Sequence, residues 1–251
     1  PEPKEDSLAW KLFRGRLKWL SRLVGRCRSA NIDAVLKGKT GRRKKRFFRG
    51  IKELQDSNGD ITGKDAMIKE MQKLEMYEVE KIPIKEDRGI QFRSVKYNVA
   101  LARELHNVEA KVIGMHIDGY HPVMKGATPH ERAVRIALGA KEFKKPKFLL
   151  LDHKRFDAHV HIKTLLQEHK FYLRCRWSKL LRKLLRMQEK NKGVTAGGIK
   201  YISLGKRMSG DINTGLGNTV LNMCMLFAWL DASGVKGKVY LDGDDSVIII
   251  E

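Results

Sequence analysis

Tyr240–Leu241–Asp242–Gly243–Asp244–Asp245–Ser246–Val247–Ile248–Ile249–Ile250 sets an acidic turn between two apolar runs of β type. An Asp-Gly step between such runs is the strongest short-range hairpin signal in a sequence, and here it brings carboxylates to the hairpin tip. Asp242, Asp244 and Asp245 repel one another unless something cationic sits among them. Two divalent metal ions clamping a phosphate during in-line displacement are one such thing. A tip made acidic for solubility is the other reading, because turns are rich in Asp and Gly in any case.

Three more segments have residue types suited to the same chemistry. In Asp152–His153–Lys154–Arg155–Phe156–Asp157 a carboxylate stands at a strand exit and a second follows five residues later. The first can face a cleft while the turn re-aims the second; alternatively, Asp157 is an ordinary helix N-cap. In Met208–Ser209–Gly210–Asp211–Ile212–Asn213–Thr214–Gly215–Leu216–Gly217–Asn218–Thr219, Thr214 and Asn218 are four apart and share a helix face. A glycine loop before such a face can lay hydroxyl and amide groups along a nucleotide sugar. A glycine-tolerant helix with a polar stripe is the alternative, but glycines this close to a helix start are unfavourable unless another backbone or a ligand approaches closely. Lys85 to Asn98 carries Lys85, Arg88, Arg93 and Lys96 on an extended segment that can line a channel for triphosphate and template. Extended basic surface strands are common, so this signal is weak alone.

The elements that position these residues follow from local pattern. Ser57–Asn58–Gly59–Asp60 predicts a turn, and Met67, Met71 and Leu74 predict a helix over Lys64 to Met76. Val79 to Phe92 reads as extended and Asn98 to His106 as helical. Thr128–Pro129–His130–Glu131 is a capping box with Pro at the first helical position, opening a helix to about Phe143 that Pro146 ends. Lys147 to Leu151 is a short apolar strand with Asp152 at its exit. Ser178 to Lys190 is an amphipathic basic helix with Leu180, Leu181, Leu184, Leu185 and Met187 on its apolar side. Gly197–Gly198 opens a strand from Ile199 to Leu204, and a helix runs from near Asn213 to Ala232.

The chain has 251 residues, and Lys+Arg 51 against Asp+Glu 29 gives a formal charge of +22. Such a surplus concerns partners rather than fold; nucleic acid is the first expectation and an anionic membrane surface the second. Basic residues in 1–50 alternate with Trp10, Phe13, Trp19, Phe47 and Phe48, a pattern that suits RNA contact. Cys27, Cys175 and Cys224 are scattered and odd in number, which argues against a disulfide framework or a zinc site and suits a reducing compartment. The longest apolar run, Val220 to Leu230, is interrupted by Asn222 and is too short to span a bilayer. No signal peptide is visible. A start at Pro1 and a stop inside an apolar strand at Glu251 read as an excerpt from a longer polypeptide.

Taken together, the order and spacing of these segments resemble the RNA-dependent RNA polymerases of positive-strand RNA viruses, most closely the tombusvirus-like group. Asp152 and Asp157 match the acidic pair of that family's motif A. Ser209, Gly210, Thr214 and Asn218 match motif B (about 207–230), Gly243–Asp244–Asp245 matches motif C, and Arg88, Gln91, Arg93, Tyr97 and Asn98 resemble the basic motif F (about 85–98). Flanking residues agree: Gln188, Asn191–Lys192–Gly193 and Gly198–Ile199–Lys200–Tyr201 are similar to the lead into motif B, and Gly41 to Arg46 to the basic stretch before motif F.

The resemblance implies an α+β right-hand polymerase fold. Residues 1–146 would be the basic N-terminal region and fingers. Residues 147–251 would be the palm, an antiparallel sheet with flanking helices, with no thumb in this chain. The activity implied is RNA-directed RNA synthesis by two-metal-ion nucleotidyl transfer. Asp152, Asp244 and Asp245 would hold two Mg²⁺ or Mn²⁺ ions; Asp157, Ser209, Gly210, Thr214 and Asn218 would contact the nucleotide ribose; Lys85, Arg88 and Arg93 would meet triphosphate or template. Implied partners are template and nascent RNA, nucleoside triphosphates, viral replication proteins and host membranes, in replication complexes of the host cytoplasm. Two departures stand out. Asp242 is an extra acid with no assigned role, and the family's general-acid lysine would lie beyond Glu251. A reverse transcriptase uses the same metal carboxylates, but the family comparison implies that it carries a bulky residue where this chain has Asp157 and lacks the Ser/Thr/Asn set. A non-enzymatic basic RNA-binding protein accounts for the charge but not for apolar strands ending in carboxylates.

Overall fold

A computed structural model describes residues 2–76, 78–81 and 88–251. Lys85 and the middle of the expected extended segment, 82–87, therefore lie outside the described residues; of the rest, Val79–Lys81 is a 3-10 turn and Gly89–Phe92 is a strand. Helices α1 (Leu8–Val24), α2 (Ile32–Leu36) and α3 (Gly41–Asp56) open the chain. Strands β1 (Ile68–Gln72) and β2 (Gly89–Phe92) follow, then α4 (Val95–Ile113) and α5 (Pro129–Ala140). Next come β3 (Lys147–Leu151), a short α6 (Phe156–His159), α7 (Ile162–Cys175) and α8 (Lys179–Arg186). Strands β4 (Lys190–Val194) and β5 (Lys200–Leu204), helix α9 (Thr214–Ser233) and the hairpin β6 (Gly237–Asp242) and β7 (Asp245–Ile250) complete it.

Among the described residues the strands form two sheets, β2-β1-β4-β5 and β3-β7-β6, the second wholly antiparallel. The chain is thus mixed α+β. The main apolar core runs from Trp10 on α1 through Leu101 on α4 and Leu165 on α7 to Val220 on α9 and Ile248 on β7. It draws on both sides of the expected 146/147 division, and β1 pairs with β4 across that line. Among the described residues no helix is long and apolar enough to cross a membrane.

Local signals account for most of the element starts. Ser7, Ser94 and Ser178 accept hydrogen bonds from the third residue onward at the starts of α1, α4 and α8, each satisfying an orphan helix donor. The Thr128–Glu131 capping box is formed in both directions. Gly234 ends α9 at φ 66°, in the left-handed region that glycine adopts without penalty.

Three expectations need correction. Lys64 to Met76 is not helical. Its centre is β1, paired antiparallel to β2 and parallel to β4, with Ile68 buried and Met67 and Met71 exposed. The four-residue Met spacing imitates a helix face, but backbone partners on both sides satisfy a strand instead. Second, α4 begins at Val95, three residues earlier than expected, because Ser94 caps it. Third, the aromatics of α1 are packing groups: Trp10 and Phe13 are buried, and Trp19 meets Phe227 of α9 edge-on. Trp19 closes α1 onto α9, and the buried Trp10 and Phe13 are not available to RNA bases.

Candidate active site

The β6–β7 hairpin turns on Gly243 and Asp244, with Asp242 paired to Asp245 across the strands. The sequence marks Asp242–Gly243 as the turning step; the turn is one residue later. Gly243 has φ 70°, and glycine at the first central position is what a type II′ turn requires. Asp244 is thereby the tip residue. The β3–β7 register ends with Leu151 opposite Ser246, so the next step brings Asp152 opposite Asp245. Three acids from three strands therefore line one end of the sheet.

Asp152, Asp242 and Asp245 line an open cleft of about 370 Å³ with Arg132 of α5, over a floor that includes Tyr240, Leu241 and Val247. Arg132 Nη2 donates to Asp242 at 2.6 Å, which gives the unassigned acid a partner. Asp245 has its pKa raised, first by burial and then by the charges of Asp244, Asp152 and Asp242, against the pull of Arg132. The centre therefore holds an excess of negative charge. Its donors are all oxygen, a set that favours hard cations, and mutual repulsion of this kind is what a divalent ion relieves. Among the described residues no three such side chains are drawn into a closed coordination cage.

Helix α9 secures the tip from below. Asn222 Nδ2 donates to the carbonyls of Gly243 at 3.2 Å and Asp244 at 3.0 Å. The Gly243 N–H donates to Thr219 Oγ1 at 3.2 Å. With the Asn222 amide nitrogen committed, its Oδ1 faces His153 at 3.1 Å, so His153 Nε2 carries the proton and donates. Asn222 thus ties the segment after β3 to the hairpin tip. Its sequence signal was the interruption of an apolar run. Extending the Thr214, Asn218 row by one more four-residue step finds it.

Asp157 and Asn218 come together as expected, Asn218 Nδ2 donating to Asp157 Oδ1 at 2.8 Å. Arg207 Nε donates to Asn218 Oδ1 at 3.0 Å, which fixes the amide so that its nitrogen faces Asp157. Arg207 itself forms a bidentate pair with Glu168 of α7, both side chains buried. Sequence reasoning missed Glu168, because nothing local distinguishes an acid in a helix from a solvated one. Burial raises the pKa of Asp157; the Asn218 hydrogen bond, Arg207 and Arg88 oppose it, and Asp244 reinforces it. Asp157, Asp244 and Arg88 therefore share one electrostatic neighbourhood.

Ser209, Gly210 and Thr214 are not gathered around that pair. Ser209 Oγ accepts from the Gln91 N–H at 3.3 Å, and the Gly210 N–H donates to the Gln91 carbonyl at 2.7 Å. A Cβ on Gly210 would collide with Phe92 and the Gln91 carbonyl. The close approach that its glycine serves is to the β2 backbone. Thr214 Oγ1 donates to the Met208 carbonyl at 2.7 Å and so closes its own loop.

Of the basic residues, Arg88 is exposed and lies 3.4 Å from Glu75. Arg93 departs from expectation. It is 1 % exposed, and its guanidinium binds Asp211, Asn191 and the Met187 carbonyl. So placed, Arg93 ties β2 to the loop before α9 rather than meeting an incoming triphosphate.

Known proteins share this pattern along the whole chain. The viral RNA dependent RNA polymerase family matches residues 1–251. The RNA-directed RNA polymerase of Melon necrotic spot virus is 35 % identical over all of this chain and 32 % of its own length. That of Maize chlorotic mottle virus is 30 % identical over 99 % of the chain and 26 % of its own length. That of Tomato bushy stunt virus (strain Cherry) is 39 % identical over 65 % of the chain and 21 % of its own length. The chain thus spans a third or less of these curated relatives. With the family matched from end to end, this chain belongs to the viral RNA-dependent RNA polymerases.

Proposed function

We propose that this chain carries the nucleotidyl-transfer centre of an RNA-directed RNA polymerase that copies a viral RNA genome. The observation that carries the reading is the gathering of Asp152, Asp244 and Asp245 at one sheet end, under-neutralised by Arg132 and adjoining the Asp157–Asn218 pair. In this reading 147–251 is the palm and 1–146 the fingers of a right-hand architecture. Asp152, Asp244 and Asp245 would hold two Mg²⁺ or Mn²⁺ ions. Such ions, when bound, lower the pKa of a primer 3′-hydroxyl and neutralise charge developing on phosphate.

The remaining roles belong to the protein's own groups. Asn218, oriented by Arg207, fixes one oxygen of Asp157 and leaves the other to accept a ribose 2′-hydroxyl. A site built to bond a hydroxyl rejects the analogue that lacks it, because its buried groups are then left unpaired. That pair favours RNA synthesis over reverse transcription. Ser209, Gly210 and Thr214 hold the loop ahead of α9 against β2 and so set the height of that helix under the sugar. Arg88, with Lys85 close in sequence, supplies phosphate contacts to the incoming nucleotide or template. Template and nascent RNA and nucleoside triphosphates are then the partners. Family membership alone supports viral replication proteins, host membranes and cytoplasmic replication complexes.

Primer extension by the polymerase that carries this chain, with Asp244→Asn and Asn218→Ala variants, tests the assignment. Asp244→Asn should abolish incorporation without loss of RNA binding. Asn218→Ala should narrow the preference for ribonucleotides over deoxyribonucleotides. Incorporation that survives Asp244→Asn, or unchanged sugar discrimination in Asn218→Ala, would overturn the corresponding role.

A further inference from the structure

Helix α8 has a face that the acidic centre does not use. Its apolar residues Leu181, Leu184 and Leu185 are buried, and it packs on α4 and α7. The outward face presents Lys179, Arg182, Lys183 and Arg186, spaced i, i+3, i+4 and i+7, all exposed. Like charges at this spacing repel. Lys179 and Arg182 also stand in a first turn that has no acid, where the helix dipole disfavours cations. Lys183 and Arg186 lie in the last turn, where the dipole favours cations, but the first-turn pair Lys179 and Arg182 gains nothing from it. Lys183 reaches Asp60 at 2.9 Å, while Lys179, Arg182 and Arg186 have no ion-pair partner among the described residues.

Trp177, just before the helix, is 57 % exposed. It lines a shallow groove of about 550 Å³ with Lys179, Arg182, Lys183, Arg186 and Met187. No residue is common to this groove and the acidic cleft. The cations span about 10 Å of helix axis, a length that suits on the order of three phosphates of a strand. An exposed indole at one end of such a stripe is a stacking platform for an unpaired base.

We propose that the Trp177–α8 groove is a second nucleic-acid site, outside the catalytic cleft, that holds a single strand by phosphate contacts to Lys179, Arg182 and Arg186 and by stacking on Trp177. A membrane surface fits less well. An interfacial helix sinks an apolar face into lipid, and the apolar face of α8 is already spent on the protein's own core.

Fluorescence anisotropy with a 12-nucleotide single-stranded RNA, its duplex and the DNA equivalent tests the groove on this chain. Lys179→Gln/Arg182→Gln/Arg186→Gln should lower the slope of log affinity against log salt by about 2. A control that removes the same charge elsewhere, Lys141→Gln/Lys144→Gln/Lys145→Gln, should change it far less. Trp177→Ala should weaken single-strand binding about fivefold or more, with Trp177→Phe restoring most of it and duplex binding unmoved. Primer extension by the polymerase carrying the groove substitutions reads the catalytic centre separately from groove binding, so loss of the catalytic reading and loss of this one are separable. Circular dichroism and the Tm of each variant check that the fold as a whole is retained. Equal losses in the two triple variants, or no effect of Trp177→Ala, would overturn the proposal. So would groove substitutions that abolish flotation with vesicles of 30 % phosphatidylserine while sparing RNA binding.

Discussion

Two polar regions meet at Asn218, and they are built on opposite principles. Behind it, Arg207 pairs with Glu168 and Arg93 with Asp211, all four buried, with Gln188 and Asn191 filling the gaps. In front of it, Asp152, Asp242, Asp244 and Asp245 crowd together, with Arg132 paired to Asp242, and Asp152 and Asp245 are exposed. Charge is balanced where water is excluded and unbalanced where a ligand can arrive. Unpaired charge in the interior is strongly unfavourable, so the buried set is a scaffold. Repulsion tolerated at an open sheet end marks the place where something cationic belongs.

If that contrast holds, the largest effect should come from the buried side. Arg207→Met leaves Glu168 without its partner and should cost about 3–5 kcal/mol of stability, read as a large fall in urea midpoint. A small fall would mean that Glu168 finds another partner and that the two regions differ less than drawn. On the open side, Asp152→Asn should lower nucleotide incorporation by about 10²–10³-fold in the polymerase carrying this chain. The same change should leave Tm unchanged or slightly higher, because it removes a repulsion. A destabilised Asp152→Asn protein would show the acid to be structural.

His169 sharpens the comparison from the buried side. Burial holds its pKa down to about 4, against the pull of Glu168. Its ordinary value is about 6.5, so the unfolded chain binds the proton that the folded chain refuses. The sign follows: the contribution of neutral His169 is fully present above pH about 6.5 and is lost as pH falls toward 4. That window corresponds to about 3 kcal/mol. His169→Gln should flatten the fall in stability between those pH values, measured by urea titrations across the range. An unchanged slope would assign the acid sensitivity to other groups.

The smallest expected effect concerns the joint between helix and hairpin. Asn222→Ala removes two hydrogen bonds to the tip carbonyls and one to His153, and should cost about 1–3 kcal/mol. It should lower incorporation more than it lowers ribonucleotide preference, since Asn222 sets the tip while Asn218 faces the sugar. Equal effects on both readouts would merge the two asparagines into one function.

Much of this organisation is legible from spacing. The capping box at Thr128 and the hairpin read from Tyr240 to Ile250 rest on interactions within a few residues, where local geometry decides; the strand ending before Asp152 was legible from its apolar run, although its partner β7 lies far along the chain. The Asp157–Asn218 contact was legible only as far as family motifs carried it, because the two are 61 residues apart. The strand at Ile68 was not legible. Its periodicity is helical, and only pairing with β2 and β4 overrules it.

The sequence by itself determined which residue types stand at the strand ends and at the start of α9, their order along the chain, and the basic surplus. Those follow from local propensity and composition. Tertiary structure alone decided that Trp10 and Phe13 are core, that Arg93 is a buried tie and that Gly210 makes room for β2. It likewise gave Asp242 its partner in Arg132 and Asn222 its place beneath the tip. A side chain's charge is written in the sequence, but whether that charge is buried against a partner or left facing water depends on chain segments 100 or more residues away, as for Arg93 and Asp211 or Arg132 and Asp242. Long-range packing sets that, and no local pattern encodes it.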